Sequence, residues 1–393
     1  MKRGIVLGKL FGIEIILDWS VLVIFGLLVY QLGGAVFPAW HPEWSPSLSW
    51  AVAVAAALVF LSSIVAHELA HSLVGRRYGI TVRTITLFLF GGVASMENEP
   101  PSARSEFWMA IAGPIASLLI GVSFTLAGGW LAGPINSDDP TAFFAGLGPA
   151  ATILAWVGPV NLLLAFFNMI PGFPLDGGRV LRAVLWRVLG DLTAATRVAS
   201  TVGRVIAWLL IFSGVASALG RPPPGLASGL GQGLWLIFIG FFLNNAARES
   251  YRHLLTEQLL SGVRVARLMA RSPAVVAADL PIGLLIDAHL LGSDARAFPV
   301  VDDDQRLIGL VCLEDVRKIP RDRWLGATVA EIMTPLADLA VIGPEEPAVA
   351  GLRLLARREV GQLPVVQHGR LVGLLRRSDV MRWLELNAEA LAA

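Results

Sequence analysis

The stretch that decides the fold is residues 50–74, WAVAVAAALVFLSSIVAHELAHSLV, an apolar run with two histidines and a glutamate near its end. At a rise of 1.5 Å per residue, about 20 apolar residues cross a bilayer core roughly 30 Å thick. On a helix, His67 and His71 share one face, with Glu68 beside them. Ionisable groups in a spanning helix cost several kcal/mol unless they are paired or functional. We therefore predict a transmembrane helix that carries a functional site.

The rest of the first 247 residues has the same apolar character. The chain is 55% hydrophobic and only 16% charged, with a mean hydropathy of +0.66, whereas soluble domains carry about 25% charged residues. The net charge of +1 gives no reason to expect a nucleic-acid partner. Five more stretches are long enough to span a bilayer, at about 15–32, 107–130, 144–170, 200–219 and 232–247.

Basic residues in the loops predict the orientation of these six spans. They precede the first span and follow the second, fourth and sixth, whereas the three opposite loops hold one basic residue, Arg221. This pattern predicts a multi-pass protein with both termini in the cytosol, embedded in a prokaryotic plasma membrane.

The sequence His67-Glu68-Leu69-Ala70-His71 has the spacing of a zinc-binding HExxH motif. A catalytic zinc site has three protein ligands, so a third must come from elsewhere. Asp176 is the acidic residue best placed on the same membrane side, in a segment broken by Pro171 and Pro174. Two alternatives stay open, since Asp176 suits the N-terminus of a helix starting at Gly177, and the polar residues suit a buried network between helices.

Together these residues resemble the site-2 protease family of intramembrane metalloproteases. The resemblance covers about 1–247 and rests on the HExxH motif, Phe90-Gly91-Gly92, Gly113-Pro114 and the segment from Asn168 to Gly177. It implies one zinc ion bound by His67, His71 and Asp176, with Glu68 as general base. It also implies that Asn168 orients the scissile peptide or stabilises the oxyanion, although bonding the broken helix backbone is a simpler role. The implied substrate is a transmembrane segment of a membrane-anchored partner, such as an anti-sigma factor. The family position after the glycine is more often asparagine, so no chemistry is assigned to Ser117.

Two segments of the membrane region have strand patterns. Gly12–Leu17 and Thr81–Phe90 are rich in β-branched and aromatic residues and are too short to span as helices. We predict that they pair as a small sheet at the cytosolic face. Residues 81–90 are expected to form an edge strand that accepts the unwound substrate by β-augmentation.

Residues 264–393 contain an internal duplication. Val265–Met269 is repeated at Val329–Met333, and Phe298–Val301 at Leu363–Val366. Two copies of this size, each too small for a good core, imply a packed pair. We divide the chain into 1–247, a linker at 248–263, and repeats at 264–322 and 323–393.

The repeat resembles a CBS-domain pair, a module that in other proteins often binds adenine nucleotides. Asp315 and Asp379 match the family position that holds ribose. The family Ser/Thr three residues earlier is Cys312 in one copy and Arg376 in the other, which speaks against a nucleotide. A structural or homodimerising module is therefore as well supported as a sensor.

The predicted fold is a polytopic α-helical membrane protein with a small β-sheet near the site, followed by a soluble α/β CBS pair. The favoured function is a membrane zinc endopeptidase. A CBS-regulated transporter or channel is the main alternative, because intramembrane ionisable groups also line ion paths. A catalytically silent protein that sequesters single-span partners is a second, which the retained Glu68 disfavours.

Overall fold

The computed structural model of the chain describes residues 4–88, 91–96, 99–133, 140–225, 227–291 and 295–387. Its residues form two compact units, Met1–Tyr251 and Arg252–Ala393. The first unit contains the apolar stretches, and the second contains the repeated motifs.

The first unit is mainly helical. Its helices are α1 (Trp19–Gln31), α2 (Phe37–Trp40), α3 (Pro46–Arg77), α4 (Ala103–Ala132), α5 (Pro140–Ala145), α6 (Pro149–Asn168), α7 (Asp176–Leu189), α8 (Leu192–Ala218) and most of α9 (Leu230–Ser261), whose last residues belong to the second unit. The segment 248–263, assigned to a linker from the sequence, is helical as far as Ser261.

Within the described residues, six helices are long and apolar enough to cross a membrane, which confirms the predicted number of spans. A π-helical turn joins α1 to α2, so the first span runs over Trp19–Trp40. The other five are α3, α4, α6, α8 and α9. Several are longer than their apolar runs, because the ends of a spanning helix extend into the polar interface.

The predicted small sheet is present and has four strands in the order β1-β2-β3-β4. The strands are β1 (Ile5–Leu10), β2 (Ile13–Leu17), β3 (Val82–Phe88) and β4 (Gly91–Met96). The expected pairing of β2 with β3 is observed and is parallel. Residues 89 and 90, the end of the predicted strand, lie outside the described residues. The prediction that 81–90 forms an edge strand is wrong, because β3 is flanked by β2 and β4.

Arg76 forms hydrogen bonds between this sheet and the helix that carries the HExxH motif. Its guanidinium group, near the end of α3, donates to the carbonyl oxygens of Phe11 and Val82. The inner face of the sheet packs Ile13, Ile85 and Leu87 into one buried cluster with Met109 of α4. The sheet is therefore held against the two helices that build the site described below.

The second unit contains a three-stranded sheet and a two-stranded sheet with small helices around them. The elements are α10 (Val265–Leu268), α11 (Ile282–Leu284), β5 (Ala297–Val301), β6 (Leu307–Cys312), α12 (Leu313–Val316), α13 (Val329–Ile332), β7 (Thr334–Pro335), α14 (Ala348–Arg357), β8 (Gln362–Gln367), β9 (Arg370–Arg376) and α15 (Arg377–Leu386). The strand orders of the two sheets are β5-β6-β7 and β8-β9.

The two repeats are interlocked, as expected for copies too small to fold alone. Val265, at the start of the first repeat, is buried in the core of the second with Leu363 and Leu375. Val329, at the start of the second repeat, is buried in the core of the first with Phe298. Each core therefore needs both copies, because each copy supplies a segment that its partner must bury.

Candidate active site

The HExxH motif lies in the last three turns of α3 and presents two imidazoles on one helix face. His67 and His71 are 4% and 7% exposed, so both are withdrawn from solvent. Their Nε2 atoms are 3.2 Å apart. This is the arrangement that the four-residue spacing predicts.

Asp176 is the first residue of α7 and completes a cluster with the two histidines. The chain leaves α6 at Asn168, passes through a turn that contains Pro171 and Pro174, and re-enters a helix at Asp176. That turn directs the carboxylate back toward α3, so that Oδ2 lies 3.1 Å from Nε2 of His67 and 3.1 Å from Nε2 of His71. Two positions more than 100 residues apart in sequence thus meet at a single point.

The three atoms fit a tetrahedral zinc ion. With bonds of about 2.0–2.1 Å to nitrogen and oxygen, neighbouring ligands of such an ion lie about 3.3 Å apart, close to the separations observed here. The ring N–H at Nδ1 of His71 donates to the carbonyl oxygen of Met109 at 2.6 Å. In the neutral imidazole, Nε2 then carries a lone pair that faces an aspartate oxygen. Two acceptors this close need a positive charge between them, and the separations of the three atoms fit a metal ion in that place.

Helix α4 supplies contacts behind the histidines that the sequence analysis missed. Besides the Met109 carbonyl, Ser117 Oγ lies 2.8 Å from Nδ1 of His67. Ser117, to which no chemistry was assigned, is therefore a supporting contact of His67. Partners of this kind fix the ring orientation of a metal-binding histidine. The spacing of Met109, Gly113 and Ser117, four residues each, places them on one face of α4 and was the available signal.

Gly113 allows α4 to approach the two Nε2 atoms closely. A Cβ atom at this position would lie 2.6 Å from Nε2 of His67 and closer still to Nε2 of His71. A methyl group here would occupy the place of the ion. The need for space between the two Nε2 atoms therefore explains why residue 113 is a glycine.

Glu68 lies next to the cluster and under the edge of the sheet. A Cβ atom at Gly92, in β4, would lie 2.7 Å from Cδ of Glu68 and 3.0 Å from its Oε1. The strand beside the glutamate is therefore β4. Since β4 is last in the strand order, its outer side is the free edge of the sheet near the site.

An apolar cavity of about 710 Å³ contains these groups. Its walls come mostly from aliphatic and aromatic residues of α1, α3 and α9, and its polar groups include His67, Glu68, His71, Asn168, Asp176 and Arg179. Nδ2 of Asn168 donates to the carbonyl oxygen of Leu164 at 3.0 Å, the backbone contact expected of its simpler role. Asn168 is also one of the residues that line the cavity.

A buried ion pair joins α4 to α7 at Arg182, nearly two helix turns beyond Asp176. Nε of Arg182 donates to Oε1 of Glu106 at 2.6 Å, and a second nitrogen of Arg182 pairs with the same oxygen. Glu106 is fully buried. Breaking such a pair leaves an uncompensated buried charge and costs about 3–5 kcal/mol, so it fixes α7 against the helix that supports both histidines.

In the second unit, Asp315 and Asp379 have the same structural role. Each carboxylate accepts a hydrogen bond from a backbone N–H three residues earlier, that of Cys312 at 2.9 Å and that of Arg376 at 3.3 Å. Oδ1 of Asp315 also accepts from Nζ of Lys318 at 2.7 Å. Burial and the charge of Asp315 raise the pKa of the Cys312 thiol to about 12, so this side chain is a neutral thiol.

Comparisons with known proteins show the family to which the chain belongs. Family models match peptidase family M50 at residues 55–133 and 129–211 and the CBS domain at residues 265–322 and 329–386. The chain is 36% identical over 389 residues to a Mycobacterium tuberculosis protein named zinc metalloprotease Rip3, covering 98% of this chain and 94% of that one. It is 32% identical over 390 residues to the Synechocystis zinc metalloprotease sll0528, covering 99% and 97%.

Among solved structures, the chain is similar to the site-2 protease from Methanocaldococcus jannaschii. The identity is 26%, the TM-score is 0.41, and the match covers 63% of this chain and 95% of that one. The relatives that span nearly the whole chain decide the family. The chain is a multi-pass membrane zinc metalloendopeptidase that belongs to peptidase family M50, the site-2 proteases, and carries a C-terminal CBS pair.

Proposed function

We propose that the protein cleaves a transmembrane segment of a membrane-anchored substrate, such as an anti-sigma factor, in regulated intramembrane proteolysis. The observation that carries this proposal is the cluster of His67, His71 and Asp176, whose three donor atoms lie 3.1–3.2 Å apart inside an apolar cavity. A protease that cleaves soluble substrates does not need an apolar enclosure around its site, whereas a protease that cleaves an apolar transmembrane segment does.

His67, His71 and Asp176 would hold one zinc ion. When bound, zinc supplies Lewis acidity that polarises a peptide carbonyl and makes a water molecule acidic enough to react. Ser117 and the Met109 carbonyl orient the two imidazoles, and the Glu106–Arg182 pair holds α7 in the position from which Asp176 reaches them.

Glu68 is proposed as the general base and acid. Its carboxylate accepts a proton from the attacking water as the oxygen–carbon bond forms. It then delivers that proton to the leaving nitrogen as the carbon–nitrogen bond breaks. Asn168 is proposed to hold the scissile peptide or the developing oxyanion with the part of its amide that does not bond Leu164.

The direct test is cleavage of a single-span substrate by the purified protein in lipid vesicles, with the product mass locating the cut. Chelation is expected to abolish cleavage, and added zinc to restore it. Cleavage that survives complete removal of metal would contradict the proposal. Family membership already favours this function over a transporter or channel, and Glu68 beside the metal ligands disfavours a silent binding protein.

A substrate helix hides its peptide bonds in its own hydrogen bonds, so it must unwind before cleavage. An unwound segment in apolar surroundings needs backbone partners, which the free edge of a sheet provides. We propose that β4, and not β3, accepts the substrate, because Gly92 brings β4 against Glu68.

Proline substitutions in β4 test this proposal. In an edge strand, alternate N–H groups point away from the sheet, so prolines placed singly at Val93 and Ala94 remove one inward and one outward donor. The proline that removes the outward-pointing N–H donor is expected to lower the cleavage rate at least about tenfold, the effect of losing roughly 1.4 kcal/mol. The zinc content is expected to stay unchanged. The measurement is cleavage rate against metal content for both variants. Cleavage at the wild-type rate in both would show that β4 does not bind the substrate.

We place the site at the cytosolic side of a plasma membrane, with both termini in the cytosol. This orientation is supported by the loops that contain most of the basic residues, because they lie on the same side of the membrane as the end of α3 that carries His71. Cysteine labelling of the loops in intact cells tests this orientation.

For the CBS pair, we propose a structural or homodimerising role in place of nucleotide sensing. The carboxylate of Asp315 is already bonded on both oxygens, and the thiol of Cys312 replaces the expected hydroxyl. AMP or ATP at 1 mM is therefore expected to leave the melting temperature unchanged. A site with a Kd near 10 µM would instead add about 2.7 kcal/mol of stability. A rise in melting temperature that disappears in Asp379→Ala would contradict this role.

A further inference from the structure

Arg179 is a charged residue of the cavity that the hydrolytic mechanism above does not use. It lies three residues after Asp176 on α7, so both side chains are on the same side of that helix. It contributes to the wall of the cavity that also contains Glu68. Its side chain is 18% exposed, so it is not fully enclosed by protein.

Arg179 is the more weakly held of two arginines that share one buried carboxylate. Glu106 is engaged by Arg182 through two contacts, one of them at 2.6 Å. Nε of Arg179 approaches the same Glu106 oxygen only to 3.9 Å, which is beyond hydrogen-bond distance. One buried carboxylate therefore faces two guanidinium groups, and the closer of them, Arg182, makes the short contacts to it. Arg179 interacts with this carboxylate only at the longer distance and also lines the cavity.

Hydrolysis creates a charge for which the cavity needs a partner. A neutral peptide bond and one water molecule become an amine and a carboxylic acid, and the acid loses its proton near neutral pH. A carboxylate in apolar surroundings is costly unless it is paired. A guanidinium group binds a carboxylate through two parallel hydrogen bonds and is the side chain best suited to this task.

We propose that Arg179 binds the new C-terminal carboxylate of the N-terminal cleavage product. Arg179 is then a binding residue for the product, and it attracts the same oxygens as they gain negative charge during hydrolysis. This inference rests on the proposed proteolytic function.

The test uses the two possible ends of one product peptide. After the cut is mapped, the N-terminal product is synthesised once with a free carboxylate and once with a carboxamide. Inhibition of cleavage by each peptide is measured for the full-length wild type, Arg179→Gln, Arg179→Lys and the exposed control Arg187→Gln. Because the quantity of interest is a ratio within one variant, a general loss of activity does not affect it.

In the wild type and in Arg187→Gln, the carboxylate peptide is expected to inhibit at least about tenfold more strongly than the carboxamide. In Arg179→Gln this ratio is expected to fall to about one to threefold, and Arg179→Lys is expected to restore part of it. A ratio in Arg179→Gln equal to that of the wild type would show that the metal ligand cluster alone holds the carboxylate, and would overturn the proposal. Absence of any cleavage by the wild type is a different result, which removes the proteolytic function itself.

Discussion

Glu68→Gln is expected to lower the rate of substrate cleavage by about 10²–10⁴-fold, the usual contribution of general acid–base catalysis, while zinc content stays at the wild-type level. The amide has nearly the shape of the carboxylate but cannot accept a proton from water. Glu68 is not one of the three residues whose donor atoms converge, so the metal cluster is left intact. Cleavage rate and bound zinc are measured on the same purified sample, which separates chemistry from metal binding.

The same substitution at an exposed position is the control for Glu68. Glu43 lies in the loop before α3 and is exposed, so Glu43→Gln should cleave at the wild-type rate. Full proteolysis by Glu68→Gln would rule out Glu68 as the general base. Lost cleavage accompanied by lost zinc would instead show that Glu68 supports the metal site.

Gly113→Ala is expected to remove both zinc and activity, although it adds only one methyl group. The new Cβ atom would lie 2.6 Å from Nε2 of His67, well inside contact distance and in the space that the ion requires. Because α4 is held to α3 and α7 by the contacts of Met109 and Glu106, the helix cannot withdraw without breaking them. Zinc affinity is expected to fall at least about 100-fold, the upper range for disturbing the residues around a metal site.

A matched control for Gly113→Ala exists on the same helix. Gly129 has no atom among the described residues within 4 Å of the position its Cβ would take. Gly129→Ala should therefore retain zinc and cleavage. Competitive zinc titration and melting curves for both variants distinguish an occupied metal position from a general loss of stability. Normal zinc binding by Gly113→Ala would show that the ligands lie farther from α4 than described here.

The local part of the site was predictable from residue order alone. His67, Glu68 and His71 lie on adjacent turns of one helix, and helix geometry sets their relation whatever surrounds them. Asp176 was different, because elimination left it as the best carboxylate and family resemblance then assigned its role. Its distance from the histidines depends on a turn at residues 169–175, whose path cannot be calculated from local preference.

The contacts that tertiary packing creates were predicted poorly. Both sheet strands expected from the sequence formed, yet β3 was taken for the edge because β4, rich in small residues, has a weak strand pattern. The contact of the Ser117 hydroxyl with His67 was not predicted, because it joins two helices whose packing the sequence does not give. Each error concerned which element lies next to which.

The HExxH helix was thus determined by the sequence itself, as were the six spans and the paired repeats. These features follow from apolar length, side-chain periodicity and internal duplication, which act over neighbouring residues. Tertiary structure alone decided that Asp176 meets two histidines at one point, that Gly113 leaves room for an ion there, and that Arg179 faces the same cavity. Such contacts join residues far apart in sequence, and only the packing of α3, α4 and α7 together brings their atoms within bonding distance.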